Sequence, residues 1–266
     1  MGIGGVGLEA LFYSIKLGRR GRWRLARLRR AGEFPDMPDS NAARPFSVRL
    51  REIVTEVGAP LCVGLDPDPE LMPAAFASAH ADGAAAFCLE IIDATAPHAA
   101  AYKPNLAFFE SYGTDGWRAF PDVCRAIRES GRLLVLDGKR GDIGNTGRRY
   151  AAAAFDRYDA DAATVAPYMG SDSVSPFLEP SGTCAFVLVA TSNPGGADLQ
   201  SLVVDGEPLY KHTARMAVRV APTTNPTSPG WPAPRGRSCW RTFGPSTRTC
   251  RSWSPASAHK AGVRRR

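Results

Sequence analysis

Asp137, Lys139 and Asp142 are the residues whose types and spacing could do chemistry. They close the run Leu133-Leu134-Val135-Leu136-Asp137-Gly138-Lys139-Arg140-Gly141-Asp142-Ile143-Gly144-Asn145-Thr146. The run opens as four apolar residues, the character of a fully buried parallel strand. It ends in charges spaced by glycines. Side chains two apart on a strand point the same way, so Asp137 and Lys139 are predicted to sit side by side. A carboxylate and an ammonium delivered together at the carboxyl end of a strand form a charge array of the kind an α/β barrel holds in its mouth, where its chemistry is done. The spacing D-x-K-x-x-D specifies little by itself, and its context has to carry the interpretation.

That context is an alternation of strands and helices. A helix is predicted from Phe46, followed by a buried strand, Pro60 to Leu65, that ends in Asp66-Pro67-Asp68-Pro69. Prolines after an Asp make a rigid turn that presents its carboxylate. An alanine-rich helix over 82–98 leads to a short strand ending in Lys103-Pro104-Asn105, where Pro104 stops the ladder. A helix over 117–130 leads to the strand at 133, and another helix over 146–158 follows it. Further strands are predicted over 162–167 and 184–191, the latter ending in Ser192-Asn193-Pro194-Gly195-Gly196, and a helix over 207–220. Five such alternations are the pattern of a parallel α/β fold.

Charge divides the 266-residue chain into three parts. Residues 1–40 hold eight Lys/Arg against four acids, and residues 221–266 hold nine and no acid, whereas 41–220 hold 16 against 22. The overall charge of +7 therefore belongs to the two flanks and not to the acidic body. Basic tails bind polyanions nonspecifically, but neither flank carries a nucleic-acid recognition motif, so no specific nucleic-acid partner is expected. Cys62, Cys88, Cys124, Cys184, Cys239 and Cys250 form no C-x-x-C pair and have no His at metal-ligand spacing. They read as reduced thiols of a cytoplasmic protein. No apolar run is long enough to span a membrane, and none is expected as a partner.

The run DGKRGDIGNT resembles the orotidine 5′-monophosphate decarboxylase family, and the similarity extends from about Phe46 to about Val220. The resemblance implies a (β/α)8 TIM barrel, of which this chain supplies about five βα units. It implies cofactor-free and metal-free decarboxylation of orotidine 5′-monophosphate to UMP and CO2, in pyrimidine biosynthesis. It implies Lys139 as the proton donor and Asp137 as the charge beside the substrate carboxylate. It implies Lys103 as the group that holds Asp137 ionised. It implies that Asp66 accepts hydrogen bonds from ribose hydroxyls and that Ser192 contacts the pyrimidine. In the family the residues matching Asp142 and Thr146 reach into the neighbouring subunit's site, so the implied assembly is a homodimer. Metal-dependent sugar-phosphate decarboxylases and synthases on a related barrel share D-x-K-x-x-D and are the alternative within the class. A non-catalytic fragment with polyanion-binding tails is the alternative outside it.

The resemblance stops near Val220. A full barrel needs three more strands, and residues 221–266 offer proline, arginine, three Trp and almost no apolar run. Such a composition suggests disorder or a reading-frame error. Back-translated and read two bases later, Ser252 to Gly262 can encode Leu-Val-Pro-Gly-Ile-Gly-Ala-Gln-Gly-Gly, a buried strand and a glycine-rich phosphate loop of the kind the family carries. The sequence therefore predicts three parts: a basic, disordered extension over 1–40 with Met37 as an alternative start, a partial barrel over 41–220, and an out-of-frame tail over 221–266.

Overall fold

The computed structural model describes residues 11–13, 44–77 and 79–221. Helix α1 (Phe46–Val57) begins after Pro45 and ends at Gly58, whose N–H bonds the Val54 carbonyl. Strand β2 (Leu61–Leu65) follows, preceded in the chain by a short strand β1 (Leu11–Tyr13). Then come α2 (Ala74–Ala77), α3 (His80–Thr95), β3 (Ala101–Pro104), α4 (Leu106–Glu110) and α5 (Gly113–Glu129). Strand β4 (Leu133–Arg140) leads into α6 (Gly144–Ala152), which widens into a π-helical turn over Ala153–Arg157. Strands β5 (Ala162–Val165) and β6 (Cys184–Val187), a hairpin of β7 (Val203–Val204) and β8 (Glu207–Pro208), and α7 (Leu209–Val220) complete the described chain.

Strands β1 to β6 form one sheet, every pair parallel, in the order β1-β2-β3-β4-β5-β6. Strand order equal to chain order has no reversal point, so this is the wall of a barrel and not a doubly wound sheet. Among the described residues no strand after β6 joins it. The partial (β/α) barrel predicted from the sequence is the fold observed. One strand is unforeseen: β1 lies inside the extension that the charge pattern set apart from the body, and it pairs with β2 at Leu11↔Leu61 to Tyr13↔Val63. The rest of the extension, Met37 included, and the predicted out-of-frame tail beyond Ala221, with Cys239 and Cys250, lie outside the described residues.

Alternation along each strand sorts the side chains into two layers. Val63, Leu65, Tyr102, Leu134, Leu136, Ala163, Val165, Ala185 and Val187 face the helices, where Ala81, Ala85, Cys88 and Ile92 of α3 and Phe120, Val123 and Ile127 of α5 meet them at helical spacing. Burying each of the fully enclosed Phe109, Phe120 and Ile127 contributes about 1.5–3 kcal/mol. The opposite parity, Cys62, Ala101, Leu133, Val135, Ala162 and Cys184, faces the barrel interior and packs on Phe46, Leu50 and Ile53 of α1. Helix α1 thus closes one end of the barrel, with the Phe46 ring edge-on to Phe186 at 5.9 Å.

That closed end is fixed by charge. Asp161, buried just before β5, accepts from the Leu134 N–H at 2.7 Å and from Arg128 Nη1 at 3.1 Å, and it pairs with the buried Arg49 of α1. Arg49 also donates to the Gly182 carbonyl at 2.9 Å. A buried carboxylate needs this number of donors to offset its desolvation. The network ties α1, β4, α5 and β5 together at the end opposite the predicted chemistry.

Candidate active site

The inward parity continues to the carboxyl ends of the strands and there changes from apolar to charged. Positions 66, 103, 137 and 164 extend the inner rows of β2, β3, β4 and β5. Asp137 is buried. Its Oδ2 pairs with Lys103 Nζ, and its Oδ1 accepts from Lys139 Nζ at 2.7 Å and from Thr164 Oγ1 at 3.0 Å. One carboxylate therefore holds two ammonium groups and a hydroxyl.

Lys139 reaches Asp137 by a route that simple strand alternation does not supply. Leu136 pairs with Ala163 and Arg140 with Val165, so four steps along β4 match two along β5. Residues 137–139 arch off the ladder as a bulge, a device that re-aims side chains beside active sites. Lys139 takes φ +46° in that arch, a left-handed conformation that costs a non-glycine residue about 1–2 kcal/mol. Its N–H, without a ladder partner there, donates to Thr164 Oγ1 at 2.9 Å. Beyond the arch Ala166 N–H bonds the Arg140 carbonyl at 2.8 Å and the ladder resumes. Gly141 follows, where a Cβ would lie 2.3 Å from the Ala166 carbonyl oxygen, so only glycine lets the two strand ends approach.

Charge sets the protonation of the cluster. Burial pushes the Asp137 carboxyl up, but the charge and hydrogen bond of Lys103, followed by those of Lys139, outweigh it and hold the group below the usual carboxylate range. Asp66 moves the other way. Partial loss of water raises it, the Asp137 charge adds to the rise, and Lys103, Lys139 and an Asn105 hydrogen bond oppose it. Asn105 also caps α4 by accepting the Ala107 N–H at 3.2 Å, and its own N–H donates to the Leu65 carbonyl at 3.1 Å. It thereby ties the Asp66 turn to the Lys103 strand. Cys62, buried on the inner wall, is pushed up to about 12 by burial and is no nucleophile.

The other predicted residues stand apart from this cluster. Asp142 accepts the Ile143 N–H at 2.8 Å, and no ion pair joins it to Lys139 among the described residues. Thr146 is exposed in the first turn of α6. Ser192 is exposed in the loop after β6, which Thr191 and Gln200 tie together. Thr164 is the residue sequence reasoning missed, although its hydroxyl is the one polar group in the run Ala162 to Ala166. On the helix-facing side of β4 a mainly apolar cleft lined by Leu106, Trp117, Leu136, Tyr150 and Phe177, and bordered by Arg140 and Thr164, contains neither Asp137 nor Lys139. Arg140 points to that side, paired with Glu110 and 5.4 Å above the Tyr150 ring. Among the described residues no three His, Cys, Asp or Glu side chains are grouped to hold a metal ion.

Comparison with known proteins identifies the family. The profile of the orotidine 5′-phosphate decarboxylase / HUMPS family matches residues 59–224, which include every residue of the cluster. The orotidine 5′-phosphate decarboxylase of Roseiflexus sp. strain RS-1 is 50% identical over 158 residues, 59% of this chain and 57% of the relative. That of Herpetosiphon aurantiacus is 44% identical over 179 residues, 65% of each chain. Among solved structures, the OMP decarboxylase of Leishmania donovani superposes with a TM-score of 0.57 at 42% identity, covering 64% of this chain and 63% of that one. The chain thus spans about three fifths of the length of the relatives it matches. With the profile covering more than half of its residues, this chain belongs to the orotidine 5′-phosphate decarboxylase / HUMPS family.

Proposed function

We propose that the chain is built for the decarboxylation of orotidine 5′-monophosphate to UMP, in the cytoplasm and without a cofactor. The observation that carries this reading is the Lys103–Asp137–Lys139 array on the inner wall at the carboxyl ends of parallel strands. Loss of CO2 from C6 leaves an electron pair that the pyrimidine cannot delocalise. A fixed ammonium is the group that stabilises such a localised charge and then supplies its proton. Lys139 takes that role, since its side chain is half exposed toward the open mouth while Lys103 is mostly enclosed. Asp137, ionised and unable to move away from its three donors, faces the departing carboxylate. Electrostatic preorganisation of these charges lowers the barrier because the donors need not reorganise as the bond breaks. Asp66 accepts from ribose hydroxyls, and Ser192 closes on the base.

The same reading assigns Asp142 and Thr146 to the site of a second copy. Support comes from Ile143, 54% exposed between them, and from Tyr168 and Met169, 82% and 55% exposed in the loop after β5. Exposed apolar groups gathered on adjacent loops mark an association surface. The phosphate grip belongs to the part of the family's length this chain does not match in its described residues, and the remote binding energy it supplies is used in the transition state. The 266-residue chain is therefore proposed to be severely impaired, and a form with its carboxyl-terminal frame restored to be active. The test is UMP formation from orotidine 5′-monophosphate by both forms, with and without EDTA. Metal-independent turnover by the restored form is expected. A magnesium requirement would move the assignment to the sugar-phosphate branch, and salt-dependent DNA binding without turnover to a polyanion-binding fragment.

A further inference from the structure

We propose that Thr164 is a positioning residue whose single hydroxyl sets the backbone of Lys139 and the carboxylate of Asp137 at the same time, an inference that rests on the decarboxylase reading for its kinetic consequence. A threonine hydroxyl has one hydrogen to give and two lone pairs to receive. Here the hydrogen goes to Asp137 Oδ1 at 3.0 Å, and a lone pair takes the Lys139 N–H at 2.9 Å. Both partners are under constraint. Lys139 holds φ +46° in a bulge where the ladder offers its N–H nothing. Asp137 Oδ1 is also the oxygen that accepts Lys139 Nζ at 2.7 Å.

The three bonds form a closed ring through Asp137, Lys139 and Thr164, so the lysine's ammonium and its own backbone are registered against one oxygen atom. Lys103 pairs with the other oxygen and does not join the ring. Asp66, at the end of β2, and Cys62, on the inner wall, are the other titratable groups that feel the Asp137 charge. Strand β5 thus contributes to the site even though none of its residues is charged. Without the hydroxyl, an N–H in a costly conformation loses its partner, and the arch is free to relax toward an ordinary right-handed backbone. Lys139 Nζ then swings off the carboxylate and away from where the reacting carbon must sit.

The experiment compares Thr164→Val, which keeps the shape, with Thr164→Ser, which keeps the hydroxyl, in the frame-restored enzyme and in the full 266-residue chain. A displaced proton donor lowers kcat and leaves substrate binding alone. The valine variant is expected to lose about 10–100-fold in kcat with KM within about 3-fold of the parent, the worth of one or two charge-linked hydrogen bonds. The serine variant is expected within about 3-fold of the parent in both. Thr164→Ala, which adds no bulk, is expected to repeat the valine result and serves if that variant does not fold. A readout independent of turnover is the 13C titration of the Asp137 carboxyl. It is expected to move upward in the valine and alanine variants, because a cation and a donor leave the ionised form, and to return in the serine variant. Parental kcat in the valine or alanine variant, a serine variant as impaired as valine, or an unmoved Asp137 titration overturns the proposal. A frame-restored parent that makes no UMP while the titration responds as described sinks the decarboxylase reading and leaves the positioning role standing.

Discussion

Replacing Asp137 by Asn tests whether the charge cluster holds the fold as well as the site. Asn fills the same volume but removes the charge and turns one acceptor into a donor. Three donors converge on Asp137: Lys103 Nζ, Lys139 Nζ at 2.7 Å and Thr164 Oγ1 at 3.0 Å. The Asn amide group must then face a cation or a hydroxyl that itself donates, losing at least one hydrogen bond to a charged group, worth about 1.5–3 kcal/mol. Breaking a buried ion pair on one side costs about 3–5 kcal/mol. The side chain of Lys103 is 20% exposed and that of Lys139 53%, so both ammonium groups recover part of their hydration. The expected loss at pH 7 is therefore near the lower bound, about 3 kcal/mol, or about 6–12 °C in Tm for a body of this size.

The pH dependence follows from the sign of the shift. Asp137 lies below the usual carboxylate range when folded. Its ionised form therefore stabilises the protein above the unfolded value of about 3.9, and this contribution fades as the pH falls through the lower folded value. Thermal unfolding of parent and Asp137→Asn from pH 7 down to the acid limit should show a gap that is full at neutral pH and narrows below about pH 4. Asp66, raised when folded, contributes in the opposite sense, fully below about 3.9 and less as the pH rises past its folded value. Equal Tm for the two proteins at pH 7, or a gap that widens on acidification, would refute the reasoning.

At the other end of the barrel, Asp161→Ala removes the acceptor shared by Arg49, Arg128 and the Leu134 N–H, leaving Arg49 only the Gly182 carbonyl and Arg128 only the more exposed Asp159. It should cost about 3–5 kcal/mol by denaturant titration, and full stability would show the network to be incidental. Gly141→Ala places a Cβ 2.3 Å from a backbone oxygen that cannot step aside. The strand ends must part, with a loss of about 1–3 kcal/mol and an NMR shift change at Lys139; an unperturbed spectrum would argue against close approach there. Ile143→Asp puts a charge on the apolar surface proposed to face a second copy. Light scattering is expected to report a dimer for the parent and a monomer for the variant, and equal masses for the two would remove that face from the proposed interface.

Much of this site is legible in the sequence because its residues interrupt strong patterns. Asp137 ends an apolar run, and Pro104 follows Lys103 as the last residue of β3, although the ladder does not stop there: Pro104 pairs with Leu65 and the Asn105 N–H still bonds the Leu65 carbonyl. The inner rows of the barrel follow from counting in twos along those strands. Thr164 was hidden because a threonine among Ala and Val in a strand satisfies β-propensity and asks for no other explanation. The bulge under Lys139 was hidden because register is a property of two strands together, and D-G-K read alone fits plain alternation equally well. Asp205-Gly206, with φ +49° and +77°, is a two-residue hairpin turn whose residue types do announce it. It passed unnoticed beside the stronger helical pattern of Leu209 to Val220. Among the described residues, neither Asp142 nor Thr146 is joined to the cluster by a hydrogen bond or ion pair, and no spacing within one chain assigns them a role.

The central claim is that Lys139 carries the proton and the positive charge on which the reaction depends. Its most direct test is the rate of CO2 release from orotidine 5′-monophosphate by the frame-restored enzyme and by its Lys139→Ala variant, with folding of both verified by circular dichroism. The account predicts a fall of at least about 10³-fold at unchanged fold, the joint worth of a positioned acid and a preorganised charge. A variant that releases CO2 within about 10-fold of the parent, less than a positioned acid alone contributes, would contradict it.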